Sequence, residues 1–104
     1  MLFELSIIPV GGDSHISIEL AEVMKIVDGS GLPYQLTPSG TSIEGEWDDV
    51  LPLIQQCHKA VRERSSHVIT TIKIEDEEGQ QDKLTMNVRS IEEKVGKKLS
   101  RSAV

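Results

Sequence analysis

Two threonine hydroxyls, one carboxylate and one indole gather around a short turn in this sequence. In LTPSGTSIEGEW, Leu36 to Trp47, Thr37 and Thr41 flank a Pro-Ser-Gly break, Glu44 precedes a glycine, and Trp47 closes the stretch. Ser6, from an N-terminal segment of the same alternating kind, is the third hydroxyl. Hydroxyls donate and accept, a carboxylate accepts and balances positive charge, and an indole stacks on flat or cationic rings. Ser6, Thr37, Thr41, Glu44 and Trp47 are therefore candidate contacts for a small polar ring. The plainer account of the same residues is strand propensity plus turn chemistry.

No other group of residues competes for a chemical role. Cys57 and His58 are adjacent, but neighbours on a helix point about 100° apart, so they do not form a nucleophile and its base. Cys57 also falls on an apolar stripe, which makes it a buried, inert thiol. His15, His58 and His67 have no partner at metal-ligand spacing and read as surface or capping residues. EDEEG at 75–79 lacks the alternating oxygen ligands of a calcium loop and reads as a solvated turn. VGGDS at 10–14 lacks the lysine of a phosphate loop and the dinucleotide fingerprint, and reads as a turn. With no positioned acid–base pair or nucleophile, the chain is not expected to be an enzyme, and no metal or cofactor is implied.

Positioning these residues falls to a simple series of elements. Residues 3–10 alternate, with Phe3, Leu5 and Ile7 on one face and Glu4, Ser6 and Ile8 on the other. A helix follows, capped by Asp13 or Ser14, with a stripe of Ile16, Leu20, Val23, Met24 and Val27, and DGSG at 28–31 stops it. PYQLT at 33–37 and TSIEGE at 41–46 read as paired strands. The second helix, 47–65, takes Asp48 as cap, holds Pro52 in its first turn, and buries Val50, Leu53, Ile54, Cys57 and Val61. HVITTIKIED at 67–76 is a fourth strand. A third helix presents Leu84, Val88, Ile91, Val95 and Leu99 along one side, too short a stripe for a stable isolated coiled coil, and SRSAV reads as a frayed tail.

The order β-α-β-β-α-β plus a C-terminal helix is that of an α+β, ferredoxin-like fold with a four-stranded antiparallel sheet. Both crossover helices belong on one face. The other face, with Glu4, Ser6, Ile8, Ile69, Thr71 and Lys73, is half apolar and requires cover from a second subunit, the third helix, or both. Ser6, Thr37 and Glu44 are expected to converge on that open face.

The chain has 104 residues, 27% of them charged and 38% hydrophobic, which fits one domain over 1–104 with its own core. A net charge of −6 without clustered basic residues argues against nucleic acid. The lone cysteine rules out an internal disulfide and ferredoxin-type iron–sulfur chemistry. The apolar start is short, interrupted by Glu4, and lacks a signal peptide's basic region, and no run is long enough to cross a bilayer. A cytoplasmic location is expected.

Three segments in order resemble the small thiamine-binding (YkoF-like) family. ELSIIPVG matches its S-I-x-P-x-G start, GLPYQLTPSGTSIEGEWDDVL its Y-x-L-x-P-x-G-T-x-I-E-G centre, and VITTIKIED its T-x-I-K-I late strand. Ser6, Pro9, Gly11, Tyr34, Thr37, Gly40, Thr41, Glu44 and Gly45 all match, and the likeness spans nearly the whole chain. The resemblance implies a ferredoxin-like fold, pairing through the sheets as a dimer or dimer of dimers, and non-catalytic binding of thiamine or its hydroxymethylpyrimidine part. With one copy of the domain, any paired site must form by association. The alternative is an interaction module whose polar sheet face only mediates assembly.

Overall fold

Alternation at the N terminus produces β1, Leu2–Pro9, in the computed structural model, which describes residues 1–11 and 17–100. There follow α1 (Ser17–Gly29), β2 (Tyr34–Thr37), β3 (Gly40–Glu44), α2 (Trp47–Arg64), β4 (Val68–Glu75) and α3 (Lys83–Val95). The sheet order is β2-β3-β1-β4, antiparallel throughout, so the ferredoxin-like architecture is present with one added helix. Among the described residues no helix is long and apolar enough to cross a membrane.

Register fixes which side chains share a face. Phe3 pairs with Ile43 and Leu5 with Thr41, on the side covered by α1 and α2; Leu2 pairs with Glu44 and Glu4 with Ser42, on the other. Phe3, Ile43, Val27, Val50, Cys57 and Val61 are fully enclosed between the helices and the sheet. Burial of side chains of this size stabilises by about 1.5–3 kcal/mol each, so the core rests on this one layer. The five expected α2 residues are all buried. On the open face Ile8 and Ile69, partners in register, are 49% and 53% exposed.

Several local expectations are corrected. The N-cap of α2 is Glu46, in extended backbone and without a side-chain cap bond, so Asp48 lies inside the first turn, where its charge suits the helix N-terminus. Pro52 is consequently in the second turn; it lies on the exposed side, where water can reach the Asp48 carbonyl it leaves unpaired. Leu20 is 42% exposed rather than buried, because α1 stands off the β2–β3 hairpin and leaves a cleft there. In α3 the stripe half-buries Leu84 and Val88 but leaves Ile91 and Val95 mostly exposed. The caps Asp13 and Ser14, together with His15, Ile16 and most of VGGDS, lie outside the described residues, as does the tail beyond Ser100.

Candidate functional site

The hairpin joining β2 to β3 is held tightly against β1. Thr37 and Gly40 are paired across Pro38-Ser39, and the Thr37 hydroxyl donates to the Gly40 carbonyl at 3.0 Å. Gly40 runs so close to β1 that a Cβ there would lie 2.5 Å from the Leu5 carbonyl oxygen. Only glycine permits that approach, and it brings Ser6 of β1, Thr37 of β2 and Thr41 of β3 to one place.

Those three residues line a cleft of about 540 Å³ between the hairpin and α1. Its walls are Leu20, Met24 and Leu36, and no charged side chain lines it among the described residues. Thr41 faces this helix side and is 6% exposed, with Oγ1 3.4 Å from the Met24 sulfur, a weak contact that leaves the hydroxyl free to turn toward a ligand. Thr37 has committed its proton and presents lone pairs. Ser6 and Thr37 also border a shallower depression of about 400 Å³ on the open face, with Ser42, Thr71 and Lys73. The hydroxyls therefore ring the hairpin tip from both sides of the sheet. Such a cleft can orient an uncharged heteroaromatic ring through hydrogen bonds at its edge, with apolar contact on its faces.

Glu44 and Trp47 are not brought to this cleft. Three positions separate Thr41 from Glu44 on β3, which puts them on opposite faces and roughly 10 Å apart along the strand. Glu44 does lie on the open face, as expected, but at its far end, where Oε2 accepts the backbone N–H of Lys83 at 2.7 Å and caps α3. Trp47 opens α2 and meets Phe3 edge-to-face, with centroids 5.8 Å apart. It remains 48% exposed and borders two other clefts. One, about 570 Å³, is acidic, with Glu44, Glu46 and Glu77. The other, about 700 Å³, lies between α2 and the free edge of β4.

Sequence reasoning missed several polar interactions. Lys83 is buried, with Nζ 2.8 Å from Glu75 Oε1 and 2.9 Å from Glu77 Oε2. EDEEG is thus partly a clamp and not wholly a solvated turn. Hydrogen bonding to Lys83, and then to Asn87, holds the Glu75 carboxyl below its usual range; the same carboxylates, Glu75 before Glu77, push Lys83 up. No periodic signal marks a contact that crosses an irregular loop. His58 is also more than a surface residue: Nδ1 lies 2.6 Å from Thr70 Oγ1 and ties α2 to β4. Met24 did have a signal, since it sits on the α1 stripe. Cys57 is the enclosed thiol expected, its pKa pushed up to about 11 by burial. No group of acids, histidines or cysteine fit to hold a metal occurs among the described residues.

Comparisons with known proteins agree with this fold and place the chain. The family model described as thiamine-binding protein matches residues 3–92. The UPF0045 protein YqgV of Bacillus subtilis is 35% identical over 94 residues, covering 85% of this chain and 90% of that protein. A UPF0045 protein of Mycobacterium bovis is 31% identical over 93 residues, covering 88% and 91%. The crystal structure of a hypothetical protein from Methanocaldococcus jannaschii superposes with a TM-score of 0.82 at 23% identity, covering 88% of this chain and 95% of that one. A Thermotoga maritima protein proposed to act in thiamine biosynthesis or salvage superposes at 0.70 with 18% identity, covering 91% and 94%. The last two likenesses are of fold; the first two, with the family match over most of the length, establish that this chain belongs to the thiamine-binding protein family.

Proposed function

We propose that the protein is a non-catalytic binder of thiamine or its hydroxymethylpyrimidine part, taking the pyrimidine into the hydroxyl-lined cleft beside the β2–β3 hairpin. One observation carries this reading: Ser6, Thr37 and Thr41, from three different strands, border a single cleft lined by no charged side chain among the described residues. A neutral aminopyrimidine suits such walls, because a buried ion there would lose its hydration without gaining a partner. Thr41 is able to donate to a ring nitrogen from the helix side, whereas Ser6 and Thr37, the latter with its proton engaged, reach the ring's edge only at the hairpin tip, from the open face. The thiazolium and any phosphate stay outside the cleft. Its volume of about 540 Å³ is within the range of small-molecule pockets. A second copy of the chain, meeting the open face as a dimer or dimer of dimers, completes the wall on the side where Ser6 and Thr37 are reached from the sheet.

Calorimetric titration with the free pyrimidine alcohol, thiamine and thiamine diphosphate tests the proposal. Expected is binding of all three, because the part that enters the cleft is common to them, with the diphosphate weakened by repulsion from a chain of net charge −6. No heat from any of the three, with folded protein confirmed by circular dichroism, would overturn it. A second reading, an interaction module without metabolite, draws on the exposed Ile8–Ile69 strip of the open face. It predicts stable self-association together with three silent titrations.

A further inference from the structure

The third helix is attached to the body chiefly by charge. Its buried residues are Lys83 and Glu92, whereas Met86, Ile91 and Val95 are 45%, 57% and 54% exposed. That is the reverse of α2, whose buried residues are all apolar. The seat of α3 is a polar clamp at the far end of the open face. Glu44 from β3 accepts the backbone N–H of Lys83 at 2.7 Å. Glu75 from β4 and Glu77 from the following loop hold Lys83 Nζ at 2.8 and 2.9 Å. Asn87, one turn into the helix, donates to Glu75 Oε1 at 3.3 Å. Leu2 pairs in register with both Glu44 and Glu75 and is only 9% exposed, while Glu4, one row further in, is exposed. The clamp therefore seals one row of the open face and no more.

The hinge opposes the clamp. Asp82, which immediately precedes α3, is the one non-glycine residue with positive φ among the described residues, at 57°. That left-handed conformation costs a residue with a Cβ more than it costs glycine, although aspartate is among those that adopt it. A helix held by ion pairs, entered through a left-handed residue, with little apolar burial, is a low-stability unit beside a well-packed core.

We infer that α3 is an electrostatic strap, seated across the end of the open sheet face by the Lys83 clamp and released as a unit by acid or salt while the sheet, α1 and α2 stay folded. Release frees Glu44, Glu75 and Glu77 and uncovers Leu2, so the strap sets access to this end of the sheet. The inference stands apart from the ligand reading, whose cleft lies at the opposite end. Glu75 and Glu77 side chains are 45% and 58% exposed, so salt reaches the acidic half of the clamp. The acid limb follows from the carboxylates. The Glu75 carboxyl, held below its ordinary value of 4.5, supports the seat fully above that pH and loses it as pH falls through the lower seated value. Lys83 works the other way, its support present below 10.5 and lost only at still higher pH. Lys73 is a further positive charge acting on Glu75, and Asp76, Glu78 and Asp82 are further acids lining the adjoining cleft.

Residue-resolved amide exchange tests the strap. Between about 0.05 and 1 M NaCl at pH 7, where the screening length shrinks severalfold, exchange across Lys83–Val95 should rise roughly ten-fold or more. Amides of Phe3, Ile43 and Val61 should not change. The same separation should occur on acidification below pH 4.5. Lys83→Met removes the clamp charge and should abolish the salt response of α3; Asp82→Gly, which relieves the hinge, should slow α3 exchange in the wild-type background. Exchange of α3 that tracks the core at every salt and pH, or that ignores both, would overturn the inference. So would a salt response that survives in Lys83→Met.

Discussion

Gly40 lies against the backbone of Leu5, where a single added carbon would meet the carbonyl oxygen at 2.5 Å. The obstacle is backbone, not a flexible side chain, so β3 and β1 would have to part locally. Gly40→Ala should therefore destabilise the protein by about 1–3 kcal/mol, the usual scale for forced overpacking. Urea unfolding measures this as a lower midpoint with unchanged slope. Because the strain falls on the rim of the hydroxyl cleft, ligand affinity should drop in the variant even under conditions where it is fully folded. Wild-type stability in the variant would mean that β3 and β1 have room between them at this point.

Thr41→Val keeps the shape of a buried side chain and deletes its hydroxyl. That hydroxyl's partner within the protein is the Met24 sulfur, a weak acceptor, so the unfolding midpoint should move little. Affinity for the free pyrimidine should fall about three- to ten-fold, the equivalent of one neutral hydrogen bond. Ser6→Ala should act alike. Calorimetry on both variants checks this, and undiminished affinity in both would remove the hydroxyls from the site.

The fold could be read almost entirely from periodicity, for a local reason. Phe3, Leu5 and Ile7 repeat every second residue, and Val50, Ile54, Cys57 and Val61 repeat at helical spacing; each pattern states which face must leave water. Part of the candidate site was legible for the same reason, since Thr37 and Thr41 lie on strands whose pairing follows from the turn between them, and Ser6 lies on a strand that the βαββαβ order sets beside β3. Glu44 and Trp47 group with them in the sequence only because nearness along the chain imitates nearness in space. On a strand, an offset of three reverses the face, and at Trp47 the chain has already turned into α2. Lys83 was invisible because its partners lie across an irregular loop, where no repeat encodes the return of the chain.

Cys57 offers a pH test of the core. Its sulfur is enclosed between α1 and α2, 3.9 Å from the Val23 carbonyl, and burial raises the thiol from 9.0 to about 11. The folded state thus binds the proton more tightly than the unfolded chain does. Its support is complete below pH 9.0 and is lost as pH rises toward 11. The loss should amount to about 2 kcal/mol by the upper end of that range, at about 1.4 kcal/mol per pKa unit. The difference in stability between wild type and Cys57→Ala, followed by urea melts from pH 8 to 11, should narrow over that interval. A thiol reagent at pH 8 should label native protein at least roughly a hundred-fold more slowly than urea-unfolded protein. Rapid labelling of the native chain would contradict the enclosed position.

Glu44→Gln separates the two ends of the open face. The carboxylate Oε2 caps α3 through the Lys83 N–H, and a glutamine oxygen can accept the same bond while losing the charge that favours a helix N-terminus. The substitution should cost about 0.3–1 kcal/mol, felt in α3 and not in the core. Thermal or urea unfolding will register little; faster amide exchange from Lys83 onward will register it directly. Affinity for thiamine should stay within about two-fold of wild type, because the cleft bordered by Ser6, Thr37 and Thr41 lies roughly 10 Å along the strand and Thr41 points to the other side of the sheet. A ten-fold loss of affinity with α3 exchange unchanged would mean the reverse. The carboxylate would then be balancing a ligand's positive charge, and the binding site would have to extend from the hairpin to the acidic cleft beside Trp47.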